Sequence, residues 1–140
     1  SGRRAAAAMV EAGAHAATDV TGFALLGHAF ELARASSVTL EIDAARVPLI
    51  PGALTLAAEG LLTSGDKSNR EYVGEDVALG DGVGKELASL LFDPQTAGGL
   101  LISIEETRAG ALLEALRETY PDATSIGRVV ARRARLIEVS

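Results

Sequence analysis

The 140-residue chain has no cysteine, no tryptophan and only four prolines. Without cysteine there can be no disulfide, no cysteine-ligated zinc and no thiol nucleophile within it. The lack of disulfides fits a cytoplasmic setting. Aromatic residues make up 4% of the chain against 48% hydrophobic residues overall, so Leu, Val, Ile and Ala must fill the core. No apolar run reaches the ~20 residues needed to span a bilayer, so no membrane partner is expected. The opening Ser1-Gly2-Arg3-Arg4 and its alanines make a poor signal peptide, because the apolar stretch is short and runs into Glu11. The abrupt start suggests a piece of a longer chain. Positive charge is also in deficit. Thirteen Lys and Arg face nineteen Asp and Glu, a formal net charge of -6. Nucleic-acid modules usually present a basic face, so none is expected here. The one arginine-rich stretch, Arg128 to Arg135, reads as a solvated strand and turn. His15 and His28 are the only histidines, and no second cluster of metal-type residues accompanies them.

What is present suits one domain spanning residues 1–140. Arg3 to Ala12 is alanine-rich and predicts a helix, with Gly13 as its C-cap. Ala14 to Val20 predicts a short strand. A helix follows over about Phe23 to Ala35, where Phe23, Leu26, Phe30 and Ala33 recur at helical spacing. Val38 to Ile42 alternates as a half-buried strand, with Thr39 and Glu41 facing outward. A helix is expected over Gly52 to Glu59 and a polar loop over Gly60 to Arg70. Glu71 to Gly84 is ambiguous, with a short helix or strand near Tyr72 to Leu79. Glu86 to Leu91 predicts a helix broken at Asp93-Pro94. Leu100 to Ile104 predicts a strand, and Glu106 to Thr119 a helix. The strands Ser125 to Val130 and Arg135 to Val139 are expected to pair as a hairpin. Interleaved strands and helices give an α/β or α+β class, with a mixed sheet flanked by helices.

Two segments could carry chemistry. Thr18-Asp19-Val20-Thr21-Gly22-Phe23 puts a carboxylate and two hydroxyls at a strand end, before a glycine turn and a helix. A helix N-terminus suits phosphate, because its first N–H groups are unpaired. A carboxylate there would repel bare phosphate, but it makes sense if it holds Mg²⁺. The plainer reading is a helix cap formed by Asp19 or Thr21, and local spacing favours it. The second segment is Asp93-Pro94-Gln95-Thr96-Ala97-Gly98-Gly99-Leu100-Leu101. Its paired glycines permit a close backbone approach or an ordinary helix-to-strand turn. The lysine and hydroxyl of a Walker loop are missing.

The stretch Thr18 to His28, read as TDVTGFALLGH, resembles a signature in the C-terminal half of the selenophosphate synthetase family. Asp93 to Leu101, DPQTAGGLL, resembles a second signature of that family, and Ser68-Asn69-Arg70 resembles its polar loop. The segments fall in the family's order and the resemblance covers essentially the whole chain. Ala24 and Ser37 stand where glycine is common, and Ala97 where serine is frequent.

The resemblance implies a layered α/β domain like the C-terminal domain of aminoimidazole ribonucleotide synthetase. It implies a two-domain enzyme whose N-terminal domain forms a homodimer and supplies most ligands for ATP and Mg²⁺. Such enzymes make selenophosphate, AMP and phosphate from ATP, selenide and water. By that match Asp19 is a magnesium ligand, supported by Thr18, Thr21 and Gly22, while Asp93 to Gly99 shapes the interdomain cleft. The cysteine or selenocysteine, lysine and glycine-rich arm of the family lie upstream of the part matched here. No catalytic residue is therefore assigned within these 140 residues, and the isolated fragment is expected to be inactive. Two alternatives stand beside this reading: a related ATP-using synthetase or kinase, and a non-catalytic interaction module of the same fold.

Overall fold

The computed structural model describes residues 5–10, 16–20, 24–49, 53–60, 65–93 and 99–140. For 5–10, 16–20, 24, 56, 65, 66, 99 and 100 the description is of the backbone alone. Among the described residues, seven strands form one mixed sheet: β1 (Ala5–Val10), β2 (Ala16–Val20), β3 (Val38–Ile42), β4 (Val77–Leu79), β5 (Gly99–Ile104), β6 (Thr124–Ala131) and β7 (Ile137–Val139). Their order is β2-β5-β1-β6-β3-β7-β4. Five α-helices accompany them: α1 (Ala24–Ser36), α2 (Ala53–Ala58), α3 (Gly65–Val73), α4 (Lys85–Phe92) and α5 (Glu106–Arg117). The mixed sheet with flanking helices is the expected α/β class. None of the described helices is long and apolar enough to cross a membrane.

Helix α1 organises the core. Leu25, Leu26, Ala29, Phe30 and Ala33 recur at three- and four-residue steps and are all buried. They meet Leu40 and Ile42 of β3, Leu101 of β5, and Ile137 and Val139 of β7. Leu91 and Phe92 of α4 and Val73 of α3 close the same cluster. Helix α5 packs instead over β1 and β6.

Four expectations need correction. The alanine run expected to be helical contributes strand β1, which lies between β5 and β6 and pairs in parallel with both. Helix preferences among ordinary residues amount to only ~0.5 kcal/mol per residue, so hydrogen bonding on both edges overrides them. Gly13, read as that helix's cap, lies outside the described residues. The last two strands do not form a hairpin, because β3 lies between them, antiparallel to β6 and parallel to β7. Thr39 does not face solvent. It is fully buried, its Oγ accepting the Arg133 N–H at 2.7 Å and donating to the Arg135 carbonyl at 2.8 Å. The connection between β6 and β7 therefore folds over it. The expected loop at Gly60 to Arg70 holds most of α3. Lys67, Ser68, Glu71 and Tyr72 are exposed, while Asn69 and Val73, four residues apart, are buried. A buried face made of one amide and one valine leaves no apolar rhythm to read. The ambiguous stretch beyond it resolves into the end of α3, a short 3-10 turn (Gly74–Asp76) and strand β4.

The four arginines of the arginine-rich stretch are exposed, as expected. Arg133 bridges Glu41 at 2.9 Å and Glu138 at 2.8 Å, and Glu41 first, then Glu138, raise the pKa of its guanidinium.

Two backbone positions yield predictions. Ser37 follows α1 with φ of 55°, the left-handed conformation that glycine adopts most readily at a helix end. Ser37→Gly should stabilise the fold by about 0.5–1 kcal/mol, read as a Tm raised by a few degrees. Gly127 sits where β6 crosses β3. A β-carbon there would overlap the Glu41 carbonyl oxygen and lie 3.1 Å from Ile42 Cα. Both neighbours are backbone of a paired strand, so they cannot swing away. Gly127→Ala should cost about 3 kcal/mol or more in urea unfolding.

Candidate functional site

The sheet register brings the two signature segments together. Strand β2 runs antiparallel to β5, pairing Thr18 with Leu101, Asp19 with Leu100 and Val20 with Gly99. The end of β2, where Asp19 stands, therefore lies beside the start of β5, where the second segment enters the sheet. The segments are some eighty residues apart in the chain but adjacent across one strand pair. Strand β2 is the outermost strand on its side of the sheet. It feeds helix α1, which packs against β2 and β5 and against α3 and α4.

The third segment anchors the second. Asn69 on α3 is only 4% exposed, and its Nδ2 donates to the Phe92 carbonyl at 2.8 Å. The adjacent Arg70 lays its guanidinium over the Phe92 ring, 4.6 Å from the centroid. Arg70 also donates to Ser89 Oγ at 3.3 Å. Phe92 is the last residue of α4, and Asp93 follows as its C-cap in extended conformation (φ -91°, ψ 123°). The Asp93 N–H bonds the Leu90 carbonyl at 3.1 Å, and the residue is fully buried. Helix α3 thus grips the point where the Asp93 to Gly99 segment leaves α4.

Of the residues singled out from sequence, Thr18 and Asp19 are on β2, while Thr21 and Gly22 lie outside the described residues, as do Pro94 to Gly98. His28 is half-buried on α1. Among the described residues no three His, Cys, Asp or Glu side chains cluster as a metal site. An open cavity of about 300 Å³ lies between β3 and β6, lined in part by Glu41, Asp43, Arg46 and Arg128. None of the signature residues lines it. Sequence reading did not anticipate the Asn69–Phe92 hydrogen bond or the Arg70–Phe92 stack. The one available signal was the position of Asn69 and Arg70 within a family-like segment.

Residues 2–138 match the AIR synthase related protein, C-terminal domain. The chain belongs to this family. Members of curated identity resemble it over most of its length. A selenide, water dikinase of Geobacter metallireducens is 43% identical over 136 residues, covering 97% of this chain and 39% of that protein. One from Caldanaerobacter subterraneus subsp. tengcongensis is 44% identical over 128 residues, 91% of this chain and 37% of that protein. One from Clostridium botulinum is 41% identical over 116 residues, 83% of this chain and 34% of that protein. The chain thus spans between a third and two-fifths of the length of these relatives.

Proposed function

We propose that the chain is the C-terminal domain of a selenide, water dikinase, in which ATP, selenide and water become selenophosphate, AMP and phosphate. The observation that carries this reading is the meeting of Asp19 on β2 with the start of β5, in a chain more than 40% identical to dikinases along most of its length. In the whole enzyme the domain would close one side of a nucleotide cleft. The upstream domain of the same chain would supply the remaining ligands, the selenium-handling residue and a homodimer contact.

Asp19 fits Mg²⁺ in donor chemistry, because a carboxylate oxygen is the hard ligand that ion prefers. It stands at the end of a strand, just ahead of the segment leading into α1, where it can be shared between two domains. One carboxylate cannot form a cage, so this chain would hold the ion only together with nucleotide oxygens, water and the upstream domain. When bound, Mg²⁺ supplies charge neutralisation of the triphosphate. Thr18, Thr21 and Gly22 would shape the turn around that carboxylate. The Asp93 to Gly99 segment would form the adjoining wall, narrowing the cleft and excluding water.

Phosphorus NMR on the full-length parent, supplied anaerobically with ATP, Mg²⁺ and selenide, tests this reading. Selenophosphate and AMP should appear, and both should vanish in Asp19→Ala. ADP with another phosphorylated product would point instead to a sister kinase. No turnover by the folded parent would favour a non-catalytic module. The 140-residue domain alone should show no micromolar affinity for Mg²⁺–ATP by calorimetry, since Asp19 is the one metal ligand assigned to it.

A further inference from the structure

We propose that the cavity between β3 and β6 binds a small oxyanion of the phosphate class, held by Arg46 and Arg128. The cavity measures about 300 Å³, and its lining includes Glu41, Asp43, Arg46, Ser125 and Arg128. That volume is at the lower end of small-molecule sites, so the occupant is small. An irregularity in the sheet builds one wall. Strand β1 pairs Ala8 with Ser125 and Val10 with Arg128, and the register shifts between Ala8 and Met9 so that Ile126 is passed over. Two positions along β1 make one full pleat, so Ser125 and Arg128 share a face of the sheet. They are three residues apart, and a regular strand would put them on opposite faces. The bulge at Ile126 therefore brings both to one side. Glu41 pairs with Arg128 across β3 and β6 and shares that face. Arg46 arrives from the 3-10 turn Ala44–Arg46, whose cap Asp43 accepts the Ala45 N–H at 3.1 Å.

The charged side chains of the lining differ by sign in how far they are committed. Glu41 accepts a bond from Arg133 at 2.9 Å, and Arg133 does not line the cavity. Asp43 spends one oxygen on the turn, and its other oxygen is 3.7 Å from Arg46 Nε. Arg46 otherwise makes only a long bond, 3.5 Å, to the Ser125 carbonyl. Among the described residues, the Arg128 guanidinium and the Ser125 hydroxyl have no partner. A guanidinium carries five N–H donors, so the unspent capacity of this lining is almost all donor capacity. The group that completes it offers several acceptor oxygens and negative charge, and phosphate oxygens match the paired donors of arginine. Strands β6 and β3 are three and four places from β2 in the sheet. At ~4.8 Å per strand the cavity is ~15–20 Å from Asp19. The site is therefore separate from Asp19 and does not rest on the dikinase reading.

Arginine footprinting of the full-length parent tests the proposal. Phenylglyoxal modifies free guanidinium groups, and mass spectrometry maps which arginines have reacted. Labelling is compared in inorganic phosphate, acetate and chloride at one ionic strength. Arg132, exposed and outside the cavity, is the control. Rising phosphate should slow labelling of Arg46 and Arg128 saturably, by about fivefold or more once it exceeds its dissociation constant several times. Arg132 should stay within about twofold of its rate in chloride, because screening acts on it equally in both salts. In Arg128→Gln the protection of Arg46 should be lost, and in Arg46→Gln that of Arg128. Both side chains are exposed, so both variants should keep the wild-type Tm. Equal protection of all three arginines, or protection of only one cavity arginine, would overturn the proposal. So would protection of Arg46 that survives Arg128→Gln. Acetate that protects as well as phosphate would overturn the assignment to the phosphate class.

Discussion

The site depends on strand β5 being paired along both edges. Its first residues hydrogen-bond to β2 on one side and β1 on the other, so their position is set by backbone bonds rather than by side-chain packing. Burying a strand with either edge unpaired would strand amide groups that have no other partner. The consequence is that Asp19 and the entry of the second signature segment cannot move independently. Helix α1 adds the other half of the constraint. It follows β2 in the chain and packs its buried face on β3, β5 and β7, so its start, five residues after Asp19, is set by the core.

What could be read from sequence follows from the same division. Helices α1, α4 and α5 and strands β2, β3, β5 and β6 carry their periodicity in their own residues, and local reasoning found them. Strand β1 does not. Its alanines favour a helix in isolation, and only the neighbours on each side make it a strand. Helix α3 was hidden because half of its buried face is an amide. The order of the last strands was hidden for a topological reason: proximity in sequence favoured a hairpin, but β3 completes the edges of both β6 and β7. The fate of Thr39 followed from that, since its hydroxyl serves the backbone of a connection whose path was not foreseeable locally.

The candidate site shows the same split. Thr18-Asp19 and Asp93 to Leu101 were recognisable as segments, because they resemble those of one family. Their meeting was not legible, because it is a register between distant strands. Nor was the Asn69 hydrogen bond, whose acceptor is a backbone carbonyl and leaves no mark on the residue type at position 92.

The proposed cation at the Asp19 end has a bearing on how charge is distributed over the domain. The domain carries a net charge of -6, and its arginine-rich stretch sits far from Asp19. The register pairs Ala5 with Gly99 at one end of β1 and Val10 with Arg128 at the other. Arg128 and the connection beyond it therefore lie at the opposite end of the sheet from Asp19. At ~3.3 Å per residue along a strand and ~4.8 Å between strands, that is a separation on the order of 20 Å. Screening at physiological salt acts over ~8 Å between exposed groups, so those arginines lend little attraction to a phosphate beside Asp19. Arg133 is further committed to Glu41 and Glu138. A polyphosphate approaching Asp19 would meet a carboxylate without that cluster to offset it, and a divalent ion between the two turns this repulsion into a bridge. On the proposed reading, the physical reason for an acidic residue beside a phosphate is the same as the reason the domain would need an upstream partner: it would offer one ligand of a metal that both would share.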